Sequence, residues 1–194
     1  SQQTRDVLIK TAYRLFGSRG YRQTTLLDVA REAGLTRGAM YWHFSSKVDL
    51  FNEVMQKIYR DVQTMVDQIV NSEKASLSRL DELLYCLASL IANDPPYRAM
   101  QELALFKEEW WQELKDIYES YQNFISSMDQ KLRQLFRELI REGSLSPSLD
   151  DRLAADFCEA FLSGIGILKQ VLGDRRKIDP RRMITFFMKG LLAQ

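Results

Sequence analysis

TTLLDVAREAGLTRGAMYWHFSSKVD, Thr24 to Asp49, reads as two short helices folded around a glycine, with a third helix starting directly after them. Leu27, Val29, Ala30 and Ala33 give the first helix an apolar face. Gly34 can leave that helix with a positive φ at little steric cost, and Leu35 then plugs the corner. Thr36 caps the next helix through its hydroxyl, so that Arg37, Gly38, Ala39, Met40, Tyr41, Trp42 and His43 form one short helix with a small, basic first turn. This is the pattern of a helix-turn-helix, and such a turn can approach the edges of bases. Thr25 and Thr36 serve as caps whether or not nucleic acid is present.

Working outward, the 194-residue chain can bury one sizeable core or two small ones. Nothing in it resembles a signal peptide, and no apolar run approaches the ~20 residues that span a bilayer, so the expected compartment is the cytoplasm, with no membrane partner. Cys86 and Cys158 lie far apart on apolar helical stripes, which suits reduced core thiols. The total charge of +1 is uninformative, but its distribution is not. Residues 1–50 hold eight Lys and Arg against four Asp and Glu, which leaves +4 there and −3 on the remainder. That asymmetry suits a polyanion bound by the first quarter alone, although a solvated face gives the same count.

Helical spacing runs through nearly the whole chain. Val7, Leu8, Ala12, Leu15 and Phe16 form a first helix that stops at Gly20. Ser46, with Asp49 three residues on, imitates a capping box and opens a long helix striped by Leu50, Phe51, Val54, Met55, Ile58, Val62, Met65, Val66 and Ile69. Leu80 to Ile91 make a further helix, broken near Asn93–Pro96; another covers about 97–107. The longest runs from Leu114 to Ile140, one apolar on two sides covers about 150–172, and the last covers about 180–192. The spacing therefore predicts an all-α protein with a helix-turn-helix domain at 1–46 and a helical domain at 47–194, in which 47–71 is the connecting helix.

The order LFGSRGY, TTLLDVAREAG, LTRGAMYWHFSSKVDLF resembles the TetR/AcrR family of transcriptional regulators, and TRGAMYWHF is most similar to its AcrR-type multidrug-efflux branch. The detailed match covers about the first quarter of the chain. The resemblance implies a homodimer that binds double-stranded operator DNA through its N-terminal domain. It also implies a variable C-terminal domain that takes a small lipophilic effector and dimerises through its last two long helices. On the matched positions, Arg37 is the residue suited to reading guanine, Thr25, Tyr41, His43 and Lys47 to holding phosphates, and Thr36 to capping while touching the backbone. Gly38 lets the helix come close to the groove floor. Trp42 is expected to pack in the core, as large aromatics of small domains usually do.

In the C-terminal body, Met65, Met100, Phe106, Trp110, Trp111, Phe124, Met128, Phe157 and Phe161 supply large polarizable groups suited to an apolar effector, although each sits at ordinary core spacing. Glu102 or Glu109 could pair with a cationic one. Ala160, Gly164 and Gly166 permit close approach of helices, as a four-helix dimer interface needs. No P-loop, HExxH, dinucleotide fingerprint or paired CxxC is present, so neither enzyme activity nor any metal or cofactor is expected. The expected function is a ligand-responsive repressor, released from a palindromic operator by its effector and controlling an efflux pump operon. The alternatives are a DNA-binding adaptor whose body recognises a protein and, further off, a small helical enzyme.

Overall fold

The computed structural model describes residues 1–98, 114–173 and 177–192, and among them there are helices and no strand. Helix α1 is Gln2–Gln23, α2 Leu26–Glu32, α3 Arg37–His43, α4 Lys47–Val70, α5 Ser76–Asn93, α6 Lys115–Arg141, α7 Asp151–Leu172 and α8 Pro180–Leu192. A further helix opens at 95–98 on Pro95 and Pro96, whose fixed φ suits a first helical turn. Most of the helix expected over 97–107 lies outside the described residues. None of these helices is long and apolar enough to cross a membrane. The described chain forms two compact units: 1–61 with 94–98 and 114–121, and 62–93 with 122–173 and 177–192.

In the first unit, Leu8, Ile9, Ala12, Leu15 and Phe16 of α1 are buried with Leu26, Val29, Met40, Phe44, Leu50, Phe51 and Val54. Val7, expected inside, is 46 % exposed, because the buried arc of α1 centres on Leu8 and Ala12 and takes in Ile9 instead. Similarly Leu26, not Leu27, faces the core of α2, and Leu27 is 42 % exposed. Gly20, at φ +80°, breaks α1 without ending it. The extra turn carries Tyr21 into an aromatic cluster with Phe16 and Phe51, at ring separations of 4.6 to 5.7 Å.

Two contacts hold 94–98 against α1. The Tyr13 hydroxyl donates to the Asp94 carboxylate at 2.7 and 2.8 Å, and burial together with that carboxylate pushes the phenol's pKa upward. Asp94 also caps the new helix by accepting from the Tyr97 N–H at 3.0 Å. Four residues along α1 from Tyr13, Gly17 packs so closely that an added Cβ would lie 2.5 Å from Pro96 Cγ and Cδ.

The second unit buries Val62, Val66, Ile69 and Val70 of α4 with Leu80, Leu83, Leu84, Leu87 and Ile91 of α5. Opposite them stand Phe124, Leu132, Leu135, Phe136 and Leu139 of α6, Ala155, Cys158, Leu162 and Ile165 of α7, and Ile184 and Met188 of α8. Arg79 fixes where α4 stops: its guanidinium donates to the Val70 carbonyl at 2.6 Å, Ser76 Oγ at 2.8 Å and Glu138 Oε2 at 2.7 Å. Arg181 joins α8 to α5 through Asp81, at 2.7 Å, and lies over the Tyr85 ring.

Between α6 and α7, Glu159 Oε1 is buried with no hydrogen-bond partner among the described residues. Burial first, then the Asp129 and Asp156 charges, outweigh Arg133 and push the Glu159 carboxyl up to about 7. Cys158 beside it is buried, and burial pushes its thiol up to about 12, far from the reactive thiolate range.

Two outcomes are expected. Gly17→Ala should lower unfolding free energy by about 1–2 kcal/mol in urea titrations, because the clash at Pro96 exceeds the gain in helix propensity. The folded state binds the Glu159 proton more tightly than the unfolded chain, so its contribution to stability falls as pH rises from the ordinary carboxylate range to about 7. Glu159→Gln should therefore raise the thermal midpoint at about pH 8, with the gain vanishing by about pH 4. A gain that is the same at both pH values would contradict this account of Glu159.

Candidate nucleic-acid interface

The corner between α2 and α3 is closed by two local devices. At the start of α2, Thr25 and Asp28 form a reciprocal capping box: the Asp28 N–H donates to Thr25 Oγ1 at 3.1 Å, and the Thr25 N–H donates to Asp28 Oδ2 at 3.0 Å. The Thr25 hydroxyl also donates to Asp28 Oδ2 at 2.6 Å, and these bonds hold the carboxyl below its usual pKa. At the end of α2, Gly34 stands at φ +67°. The Gly34 N–H donates to Arg31 O and the Leu35 N–H to Ala30 O, so the last carbonyls are satisfied as the chain turns.

Thr36 then caps α3, accepting from the Ala39 N–H at 3.1 Å. Of the seven residues of α3, Met40 is the buried one. At about 100° per residue, Arg37, Gly38, Tyr41 and Trp42 share an arc of about 140° pointing the other way, and all four are exposed. The Arg37 guanidinium lies 5.5 Å from the Tyr41 ring centre, a cation–π contact on the exposed side of the helix.

Thr25 and Thr36 are also exposed, as the caps of neighbouring helices. His43 is half-buried at the end of α3, its ring edge-on to Trp42 at 5.0 Å. Its carbonyl accepts from Arg5, which also pairs with Glu53 at 3.0 Å and lies over the Phe44 ring. Lys47 opens α4 half-buried, donating to the Tyr21 and Arg22 carbonyls at 3.1 and 3.4 Å. It therefore neutralises the end of α1, three residues before Thr25. Ser46 caps α4 as expected, but Asp49 returns to the Ser45 N–H at 2.9 Å and not to Ser46, so the box is displaced by one residue.

Trp42 corrects the sequence reading. It is 79 % exposed, because the helix gives its inward arc to Met40 and leaves no room there for an indole.

In the body, Phe124 and Met128 are buried on α6 and Met65 is half-buried on α4. Met100, Phe106, Trp110 and Trp111, with Glu102 and Glu109, lie outside the described residues. Phe157 and Phe161 were expected in the interior; Phe161 is half-buried, whereas Phe157 stands on the surface. Phe157 is 62 % exposed, and both rings pack on Phe187 of α8, at 5.8 and 5.0 Å. The inward arc of α7 is already filled by Ala154, Ala155, Cys158, Leu162 and Ile165. Its opposite arc carries Leu153, Phe157, Ala160, Gly164, Ile167, Leu168 and Val171. These form an apolar outer face on α7, and on α8 Phe186 is 81 % exposed. Of the three small residues expected to allow helix approach, Gly166 faces inward and is buried. No group of His, Cys, Asp or Glu among the described residues could hold a metal.

A short capped helix that buries one residue and offers an arginine and a tyrosine on its free arc defines the class: a helix-turn-helix DNA-binding protein involved in transcription regulation. The chain belongs to the tetR family of bacterial regulatory proteins, whose N-terminal region matches residues 8–54, while the C-terminal region of MAATS-type transcriptional repressors matches residues 75–173. It is 28 % identical to the transcriptional regulator AcrR of Shigella flexneri over 166 residues, 85 % of this chain and 77 % of that protein. It is 27 % identical to NalD of Pseudomonas aeruginosa, the secondary repressor of the MexAB-OprM multidrug efflux pump, with a TM-score of 0.70 over all of this chain and 95 % of that one. FadR of Bacillus subtilis, solved with stearoyl-CoA, shares the fold at a TM-score of 0.76, 18 % identity and 96 and 97 % coverage. The fold and relatives are those of TetR-type repressors, not enzymes.

Thr25→Ala should cost about 1 kcal/mol of stability, read from urea unfolding, because the Asp28 N–H loses its side-chain acceptor and the Asp28 carboxylate loses the hydroxyl, while the backbone N–H of residue 25 keeps its bond to that carboxylate. A loss near zero would show that the box does not set the start of α2.

Proposed function

We propose that this chain is a ligand-responsive repressor that binds a palindromic operator as a homodimer, with residues 1–46 reading DNA and residues 47–194 sensing an effector and dimerising. The observation that carries this reading is the free arc of α3, where Arg37 stands exposed in the first turn beside an equally exposed Gly38 and Tyr41. Arg37 donates in bidentate fashion to guanine O6 and N7. Thr25, Tyr41, His43 and Lys47 hold phosphates on either side, and Thr36 adds a backbone contact while it caps α3.

The apolar outer face of α7 and α8 supports pairing of two copies, since a face of that composition stays out of water when it is self-complementary. Two copies related by a two-fold axis present Arg37 twice, which requires an inverted-repeat operator. The buried Phe124 and Met128, with the half-buried Met65, support a small lipophilic effector in the body. Phe157 and Phe161 belong to the pairing face in this reading. An effector releases DNA only by binding the DNA-incompetent arrangement more tightly. The efflux roles of NalD and the likeness to AcrR support control of a pump operon from the cytoplasm.

In titrations at one salt concentration, Arg37→Ala should weaken binding to the preferred duplex by roughly 5- to 150-fold and binding to random duplex by much less. Equal losses on both would show that Arg37 contacts phosphate and reads no base.

A further inference from the structure

Arg5 stands on the buried arc of α1, one turn before Leu8 and Ile9 and two before Ala12, where a charge is out of place unless it is paired. Among the described residues it has three partners, and none belongs to α1. Nη1 donates to the His43 carbonyl at the end of α3 at 3.3 Å, and Nη2 pairs with the Glu53 carboxylate of α4 at 3.0 Å. The guanidinium carbon lies 4.6 Å from the centre of the Phe44 ring, which is buried just beyond α3. The Arg5 and Glu53 side chains keep 27 and 31 % of their surface exposed, so water competes with the pair only in part.

This end of α3 needs such a fixture. Met40 O accepts from the Phe44 N–H, but the carbonyls that follow it have no partner within the helix, and the helix end carries partial negative charge that a cation offsets. Thr36 holds the first turn and Met40 the middle, while Arg5 holds the last residue. Its planar fork serves a carbonyl and a carboxylate at once while its face lies on an aromatic ring. A lysine ammonium has no such plane and reproduces the arrangement only in part. Counted from the sequence, Arg5 belongs to the cations that give residues 1–50 their +4 and suit them to phosphate. Its bonds turn it to a different task.

We propose that Arg5 is a positioning residue for DNA recognition: it fixes the far end of α3 at the angle from which the opposite arc meets bases, and Glu53 holds it there and away from phosphate. This inference rests on the DNA-reading assignment of α3 given above. Hydrogen bonds to base edges weaken steeply with misalignment, whereas attraction to the phosphate backbone is insensitive to the tilt of one helix. Loosening the fixture therefore costs sequence preference before it costs general affinity.

The test compares the full chain with Arg5→Gln, Arg5→Lys and Glu53→Gln on the preferred duplex and on random duplex, across a salt series, at a temperature where circular dichroism shows each protein folded. Arg5→Gln should lose about tenfold on the preferred duplex, the worth of one hydrogen bond to a charged group, and little on random duplex, with the salt slope unchanged. Arg5→Lys should recover part of the preference. Glu53→Gln, which releases the guanidinium, should lower the ratio of preferred to random binding as well. A phosphate contact by Arg5 gives a different pattern: Arg5→Gln loses equally on both duplexes with a salt slope smaller by about one, and Glu53→Gln binds both more tightly by the same factor. That pattern would overturn the proposal. So would an unchanged ratio in Arg5→Gln and Glu53→Gln, whatever their thermal midpoints, because the three contacts would then serve stability alone. Should Arg5→Gln fail to fold, Glu53→Gln decides, since only the positioning role lowers its ratio. If the unaltered chain shows no preference among duplexes, the DNA-reading assignment fails and this inference with it.

Discussion

The burial of Met40 is the contact on which the presentation of α3 depends. A seven-residue helix is too short to persist in water by its own hydrogen bonds, so tertiary anchoring has to hold it. Met40 is fully buried, Phe44 follows it inward, and Thr36 satisfies the first turn. With the inward arc fixed by those two apolar side chains, the opposite arc has one available direction. Arg37, Gly38, Tyr41 and Trp42 are exposed for that reason. The Gly34 corner sets the angle from which the helix leaves α2, and Arg5 ties the far end of α3 back to α1 and α4.

The same logic of one filled arc and one free arc governs the other end of the chain. α7 fills its inner arc with small and medium residues, Ala154, Ala155, Cys158 and Ile165, which lets its neighbours come close. Its outer arc is apolar and, apart from the packing of Phe157 on Phe187 of α8, stands exposed among the described residues. A repressor that reads a two-fold operator needs a self-complementary surface, and this face supplies one in the proposed account. Reading and pairing then rest on different helices, and an effector held in the body can alter the spacing of two α3 helices without touching either.

Much of this was legible from the residues. Helix limits followed from apolar spacing and from caps with a chemical signature: Thr25, Thr36, Ser46 and Gly34 all stand where their side chain or backbone freedom is used. The fold class and the family followed from the same stretch. What escaped was facing. Neighbouring apolar residues compete for one inward arc, and periodicity does not decide between Leu26 and Leu27 on the short α2 or between Val7 and Ile9 on the long α1. Trp42 was misplaced because residue type suggested a core position, whereas its angle from Met40 forbids one. Phe157 was misplaced for the opposite reason: α7 is apolar all round, and sequence alone does not tell a face buried within the chain from a face left for another copy.

The central claim, that the free arc of α3 reads base edges and does so twice, is tested most directly by selecting bound sequences from a pool of random duplexes with the intact protein at physiological salt. The account predicts enrichment of one short element occurring twice in inverted orientation, with a guanine at a fixed place in each copy. Recovery of unenriched sequences, or of a single unrepeated element, would contradict it.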